Sequence, residues 1–317
     1  MRILITGIGG FVGRHLLHHI TSVNPDAELH GTILDASDGR QTAAICHTVD
    51  LNDEPQVLSL IASVRPDCIY HLAAQASPRI SFQAPWDTLA NNVRSQLNLI
   101  LACLRADIRP RILIVSSAEI YGPGTGTAIT ENAALCPTSP YGVSKAAQDL
   151  LGLQYYFSHN IPIIRARPFN HFGPGQREGF VAPDLAMQIA RIEAGLQPPV
   201  LEVGNLSPRR DFTDVRDIVR AYRLLVEKGE PGTAYNVASG TARSIQEMLD
   251  TLLDFSHVSI AVHTDPARFL PVDVPVRLGN FERLCAATDW RPQISFEQTL
   301  LDVLNDCRQR VGAAPAG

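Results

Sequence analysis

Thr6-Gly7-Ile8-Gly9-Gly10-Phe11-Val12-Gly13 is the stretch on which the reading of this chain turns. It follows a short apolar run, Arg2–Thr6, that reads as a buried strand, and it opens a periodic segment, Phe11–Ser22, that reads as a helix. Glycines at 7, 10 and 13 let the backbone turn sharply between the two and come close to a diphosphate. The helix N-terminus then offers unpaired N–H groups and a partial positive charge to that anion. Phe11 and Val12 are expected to pack the helix back on the sheet. A glycine triplet alone is a weak signal; its place between strand and helix makes it a dinucleotide-binding turn.

Outward from the turn, strands and helices alternate. Glu28–Leu34, Asp67–Leu72 and Arg111–Ser116 read as further strands, and Asp53–Val64 and Asp87–Ala106 as helices, a pattern that holds up to Ile161–Arg167. Short strands separated by longer helices imply an α/β fold with a doubly wound, Rossmann-type parallel sheet covered on both faces. The ligand of such a sheet lies at the carboxyl ends of its strands. Beyond residue 167 prolines and glycines cluster at Pro168, Gly173, Pro174, Gly175, Pro198 and Pro199, and regularity falls. We therefore expect a dinucleotide-binding part over 1–167, with 212–240 returning to it. A smaller substrate-binding part is expected over 168–211 and 241–311, and a flexible tail over 312–317.

The residue after the second strand discriminates between cofactors, because an acid there holds a ribose 2′-hydroxyl and an arginine accepts a 2′-phosphate. Asp35 stands 22 residues past Gly13 and fits the first case, with a loop residue as the alternative; Arg40 stands nearby. NAD and NADP both remain open, with a slight lean to NAD. Asp50 and Leu51 are candidates for the adenine edge.

Composition excludes several classes. The chain has 317 residues, 45% hydrophobic, with a net charge of −5. That balance argues against a nucleic-acid partner. No run of membrane-spanning length occurs, and no export signal is expected, so a cytoplasmic protein is the expectation. Six cysteines, at 46, 68, 103, 136, 285 and 307, form no CxxC pair, so neither a zinc site nor a disulfide framework is indicated.

Tyr141-Gly142-Val143-Ser144-Lys145 places a tyrosine and a lysine at i and i+4, on one face of a helix that Pro140 would start. A phenol is a weak acid–base catalyst near neutral pH, and a neighbouring ammonium is expected to lower its pKa. Such a tyrosine exchanges a proton with the oxygen of a carbon that gains or loses hydride. Ser117, just past a strand, would hydrogen-bond the same oxygen.

With these residues the chain resembles the extended short-chain dehydrogenase/reductase family over nearly its whole length. The likeness runs through the glycine turn, His71-Leu72-Ala73-Ala74, Asn92, Ser116-Ser117, and Tyr141 with Lys145. It implies Ser117, Tyr141 and Lys145 as catalytic residues. It also implies a cofactor site made of Gly7, Gly10, Phe11, Val12, Gly13, Asp35, Asp50, Leu51, Leu72, Ala73, Ala74, Asn92, Tyr141, Lys145 and Arg167. The segments Arg167–Gln176, Leu201–Leu206, Arg210–Val215 and Tyr235–Gly240 look like the branch acting on GDP-linked deoxyhexoses. That resemblance implies hydride transfer at a sugar carbon and a nucleotide-sugar substrate. Arg79, Ser117, Asn170, Gln176, Val181, Arg210 and Arg277 would contact it, with Arg177 and Phe180 as further candidates.

Glu119 is similar in position to a glutamate that dehydratases of this branch use as acid–base. A dehydratase or epimerase that retains its cofactor is thus the alternative to a reductase. Relatives place an arginine before a proline to clamp the diphosphate; here the matching residue is Leu270, before Pro271, and Arg268 or Arg277 would have to substitute. Relatives also dimerise through two long helices, so a homodimer through 87–106 and 141–159 is expected.

Other residues read as structural. His15 and His19 lack a third metal ligand and are expected to face solvent. Ser244-Ile245-Gln246-Glu247 reads as a capping box, and Asp214 as a helix cap. Trp86 and Trp290 read as packing residues, and Arg216, Arg220 and Arg223 as a solvated helix face.

Overall fold

The computed structural model describes residues 1–35, 43–124, 126–269 and 274–313. In chain order the elements are β1 (Arg2–Thr6), α1 (Phe11–Val23), β2 (Glu28–Ile33), β3 (Ile45–Thr48), α2 (Glu54–Val64) and β4 (Cys68–His71). There follow α3 (Pro78–Gln83), α4 (Pro85–Arg105), β5 (Arg111–Val115), α5 (Pro140–His159), β6 (Ile163–Pro168) and β7 (Asn170–Phe172). Then come α6 (Val181–Glu193), β8 (Val200–Val203), β9 (Arg209–Asp214), α7 (Val215–Lys228), β10 (Ala234–Val237) and β11 (Ala242–Ser244). The chain closes with α8 (Ile245–Asp254), β12 (Ala261–Thr264), β13 (Val276–Arg277), α9 (Glu282–Thr288) and α10 (Phe296–Ala313).

Seven parallel strands form the main sheet in the order β10-β6-β5-β4-β1-β2-β3. The order reverses beside β1, so a crevice opens at the carboxyl ends of β1 and β4. Alternation along β1 explains the two-sided burial. Ile3 and Ile5 face a cluster with Leu16, Ile20, Tyr222 and Trp290. Leu4 faces the opposite cluster with Ile61, Ile69, Leu99 and Ile112. β10 pairs with β6, as the sequence led us to expect for Ala234–Val237. β3, which the sequence reading passed over, pairs with β2; its four residues alternate only weakly in burial.

A third cluster gathers Phe172, Leu185, Ile189, Leu249, Leu252, Leu300 and Leu304 from β7, α6, α8 and α10. Two small sheets, β11-β9-β13 with β7 on β9, and β12-β8, bound this region. α10 runs through Gly312 and Ala313, which the sequence reading gave to the tail. Their helical neighbours extend the helix past the last apolar position.

Several packing expectations change. Trp290 is fully buried, but Trp86 is 74% exposed, so it does not pack in the core. The arginines of α7 are engaged rather than solvated. Arg216 pairs with Asp214 and Asp302, Arg220 pairs with Asp217 and lies over the Trp290 ring, and Arg223 meets Glu227 and His19. His15 turns inward, its Nε2 2.8 Å from the Pro174 carbonyl. Asp214 caps α7 and Ser244–Glu247 forms a complete capping box.

Candidate active site

The glycine turn has the shape a diphosphate requires. Gly7 sits at φ +69°, and a Cβ on Gly13 would stand 2.4 Å from the Gly7 carbonyl oxygen. No side chain caps α1 and its first turn holds no acid. The N–H groups of that turn therefore stay open to an anion, and this cradle fits a dinucleotide. Val12 packs on the sheet core; Phe11 instead stacks on His171 and meets His15 edge-on.

Thr6 organises the other lip of the crevice, a role the sequence reading missed. Its Oγ accepts the N–H groups of Leu72 and Ala73, both at 3.1 Å, and meets His71 Nδ1 at 3.0 Å. A hydroxyl-bearing residue ending the first strand was the available signal. Ala74 follows half-buried. Asp35 lies exposed just past β2, and Asp50 turns its carboxylate to Asn52. Leu51 is buried and its carbonyl takes the Asn98 amide. Arg40, Leu270 and Pro271 lie outside the described residues, as does the Arg268 side chain.

The residues expected to be catalytic come together on α5 and just past the end of β5. Ser139 caps α5 by accepting the Gly142 N–H at 3.0 Å, and Pro140 takes the first helical position. Tyr141 and Lys145 point to one side, the Lys145 ammonium 6.0 Å from the tyrosine ring centroid. Lys145 Nζ donates to the Val115 carbonyl at 2.9 Å. Ser117 lies near enough to the Tyr141 phenol to favour its ionised form, and its Oγ accepts the Glu119 N–H at 3.2 Å.

The electrostatics differ from the expected activation of the phenol. Burial, opposed by Ser117 and reinforced by Glu119, pushes Tyr141 up to about 12. Burial likewise brings the Lys145 ammonium down to about 7. The protein interior disfavours both charged forms more than their mutual attraction helps. Tyr141 thus keeps its proton at neutral pH and is set to give it away.

Two arginines expected at the ligands are engaged elsewhere. Arg167, expected at the cofactor, grips both oxygens of buried Asp149 at 2.8 Å and also donates to Tyr121 and the Glu131 carbonyl. Arg277, expected at the substrate, is 3% exposed and forms a salt bridge with Glu119. Single positions in a sequence do not reveal such partners, which lie 18 and 158 residues away.

The remaining substrate candidates lie on separate elements. Asn170 is exposed at the start of β7, and Val181 opens α6. Gln176 is 6% exposed with a buried Oε1 that meets no partner among the described residues. Arg210, on β9, directs one guanidinium nitrogen to the carbonyls of Arg209 and Val274. Arg79, Arg177 and Phe180 are exposed. Among the described residues no group of three His, Cys, Asp or Glu side chains is arranged to hold a metal ion.

An open glycine cradle together with a half-buried serine and a buried tyrosine and lysine defines an oxidoreductase of the extended short-chain dehydrogenase/reductase type. The chain belongs to the family described as GDP-mannose 4,6 dehydratase, whose model matches residues 4–303. It is 36% identical to the GDP-6-deoxy-D-mannose reductase of Pseudomonas aeruginosa, over 98% of both chains. It is 27% identical to a GDP-mannose 4,6-dehydratase of Sordaria araneosa, over 95% of this chain and 60% of that one. The structure of RMD from Pseudomonas aeruginosa complexed with NADPH superposes with a TM-score of 0.87 at 34% identity, covering 98% of this chain and 99% of that one.

Proposed function

We propose that this chain reduces the C4 ketone of GDP-4-dehydro-6-deoxy-D-mannose, giving GDP-D-rhamnose, with NADPH or NADH as the reductant. The observation that carries the choice is the end-to-end likeness to the Pseudomonas aeruginosa reductase. A tyrosine that holds its proton at neutral pH supports the same direction of chemistry.

The glycine turn, with Asp35, Asp50, Leu51, Leu72, Ala73, Ala74 and Asn92, orients the dinucleotide. When bound, the nicotinamide supplies hydride to C4. Tyr141 gives its phenolic proton to the C4 oxygen, which leaves as a hydroxyl on the product. Ser117 donates a hydrogen bond to that oxygen while negative charge develops there. Lys145 stabilises the phenolate that remains, and solvent restores the proton. Residues 168–211 and 241–311 form the substrate-binding part, supported by their own hydrophobic cluster. In it Arg210 meets the diphosphate, and Asn170, Gln176 and Val181, with Arg79 opposite, line the sugar nucleotide. Arginine suits this because its planar fork matches phosphate oxygens.

A dehydratase that retains its cofactor is the second reading, favoured by Glu119 next to Tyr141. Anaerobic incubation with GDP-4-keto-6-deoxymannose and NADPH or NADH separates the two. Loss of one reduced cofactor per ketone, with a deoxyhexose product, supports the reductase and ranks the cofactors. No loss, with a keto sugar formed from GDP-mannose, would overturn it.

The protein works as a homodimer in the cytoplasm. Among the described residues no helix is long and apolar enough to cross a membrane. Val143, Leu150 and Phe157, 43%, 52% and 72% exposed, form a stripe at seven-residue spacing along α5, and the last two line a shallow groove with Leu153 and Gln154. Such a face fits a second copy of itself. Light scattering at micromolar concentration should give twice the chain mass, and a monomer would count against the pairing.

A further inference from the structure

Tyr141 has a second polar neighbour besides Ser117. Glu119 lies in the short 3-10 helix Ala118–Tyr121, two residues past Ser117, and its charge bears on the tyrosine. Its side chain is 23% exposed, so solvent and small molecules reach part of it. Arg277 holds both of its oxygens, Nη1 on Oε1 and Nη2 on Oε2, the latter at 3.3 Å. Nη2 also reaches the Gly122 carbonyl at 3.5 Å. The arginine is fixed by its backbone: β13 pairs with β9 through Arg277 and Arg210, and Gly279 bridges to Ile129 two residues on.

We propose that Arg277 is a specificity-determining residue, which by pairing with Glu119 removes that carboxylate from proton chemistry on the sugar and leaves Tyr141 as the one proton donor. This rests on the reductase reading and gives it a structural reason. A C4 ketone acidifies the hydrogens on C3 and C5. An unpaired carboxylate beside it takes such a proton, and the C–H electron pair moves into the carbonyl to form an enolate. Return of a proton to carbon restores the ketone. Where C6 carries a hydroxyl, the enolate electrons instead expel that oxygen, which takes the proton from the new carboxylic acid and leaves as water. Both outcomes need Glu119 to accept a proton and release it. A two-toothed, charge-assisted pair with a buried guanidinium opposes the first of these steps, because protonation would strand the arginine charge. Reduction needs a single proton, and Tyr141 carries it.

The test uses GDP-4-keto-6-deoxymannose with NADP⁺ in D₂O, so that no hydride is available, and follows deuterium entering the carbons that flank the ketone. Wild type should show no exchange above an enzyme-free control. R277M should exchange at least ten-fold faster, and R277M/E119Q should return to the control rate. R277Q, which keeps hydrogen-bonding capacity without charge, replaces R277M if circular dichroism shows the latter unfolded. Exchange by wild type that E119Q abolishes would overturn the proposal. So would folded R277M and R277Q proteins exchanging no faster than wild type. Wild-type consumption of NADPH and of NADH with the same ketone is recorded alongside. Absence of both would overturn the reductase reading itself, whereas consumption of either without gained exchange overturns only the role of Arg277.

Discussion

Asn92 and Ser144 meet in the interior, the Asn92 amide donating to Ser144 Oγ at 2.9 Å. The same asparagine accepts the Gln75 N–H at 2.7 Å and donates to the Gln75 carbonyl at 3.1 Å. Ser144 in turn donates to the Tyr141 carbonyl at 2.7 Å. One buried amide thus ties the segment after β4, which borders the crevice proposed for the cofactor, to the helix that carries the proposed catalytic tyrosine. Replacing Asn92 by Ala leaves buried donors and acceptors without partners. We expect a loss of about 1–3 kcal/mol in urea unfolding and a fall in kcat of about ten-fold from misplacement of Tyr141. An unchanged melt would show that water replaces the amide.

The Arg167–Asp149 pair predicts a stability effect. Both side chains are buried, and Asp149 also takes Arg165 at 2.6 Å. R167M would leave Asp149 with half its partners and strand the Tyr121 and Glu131 contacts. The expected cost is about 3–5 kcal/mol by denaturant unfolding. Cofactor affinity of the protein that remains folded, followed by fluorescence titration, should be nearly unchanged. A selective loss of affinity would return Arg167 to the cofactor site.

Tyr141 and Ser117 separate chemistry from binding. Y141F removes the proton donor and should lower kcat by about two to four orders of magnitude. S117A removes a hydrogen bond to the developing charge and should cost about 10²-fold or more. Dinucleotide binding, measured by calorimetry, should survive both. If Y141F abolished binding, the tyrosine would be a cofactor ligand before it is a catalyst.

His71 predicts how stability depends on pH. Burial lowers it to about 3 from an ordinary 6.5, with the Lys145 charge adding to the effect. The folded chain refuses a proton that the unfolded chain accepts. Stability from this group is therefore fully present above about 6.5 and falls as pH drops toward about 3. Within that window the slope is one proton, about 1.4 kcal/mol per pH unit. Urea unfolding of wild type and H71Q between pH 4 and pH 7 (on the order of two such units) should show the histidine's slope missing from the variant. Parallel curves would place His71 in a more solvated setting.

The sequence by itself determined the parallel sheet, the glycine turn, and the serine, tyrosine and lysine of the site. Each is written in local signals: apolar runs of strand length, a turn that only glycines allow, and an i, i+4 pair that any helix brings to one side. Helix caps such as Asp214 and Ser244 were legible for the same reason. Tertiary structure alone decided which charges are available. Arg167 and Arg277 look like ligands for an anion as residue types, yet each is buried against a carboxylate from another element, and burial makes an unpaired charge costly enough to demand a partner. The site's acidity was settled the same way: the spacing of Tyr141 and Lys145 suggests an activated phenol, while the dry surroundings of the folded chain hold the phenol protonated and the amine only weakly charged.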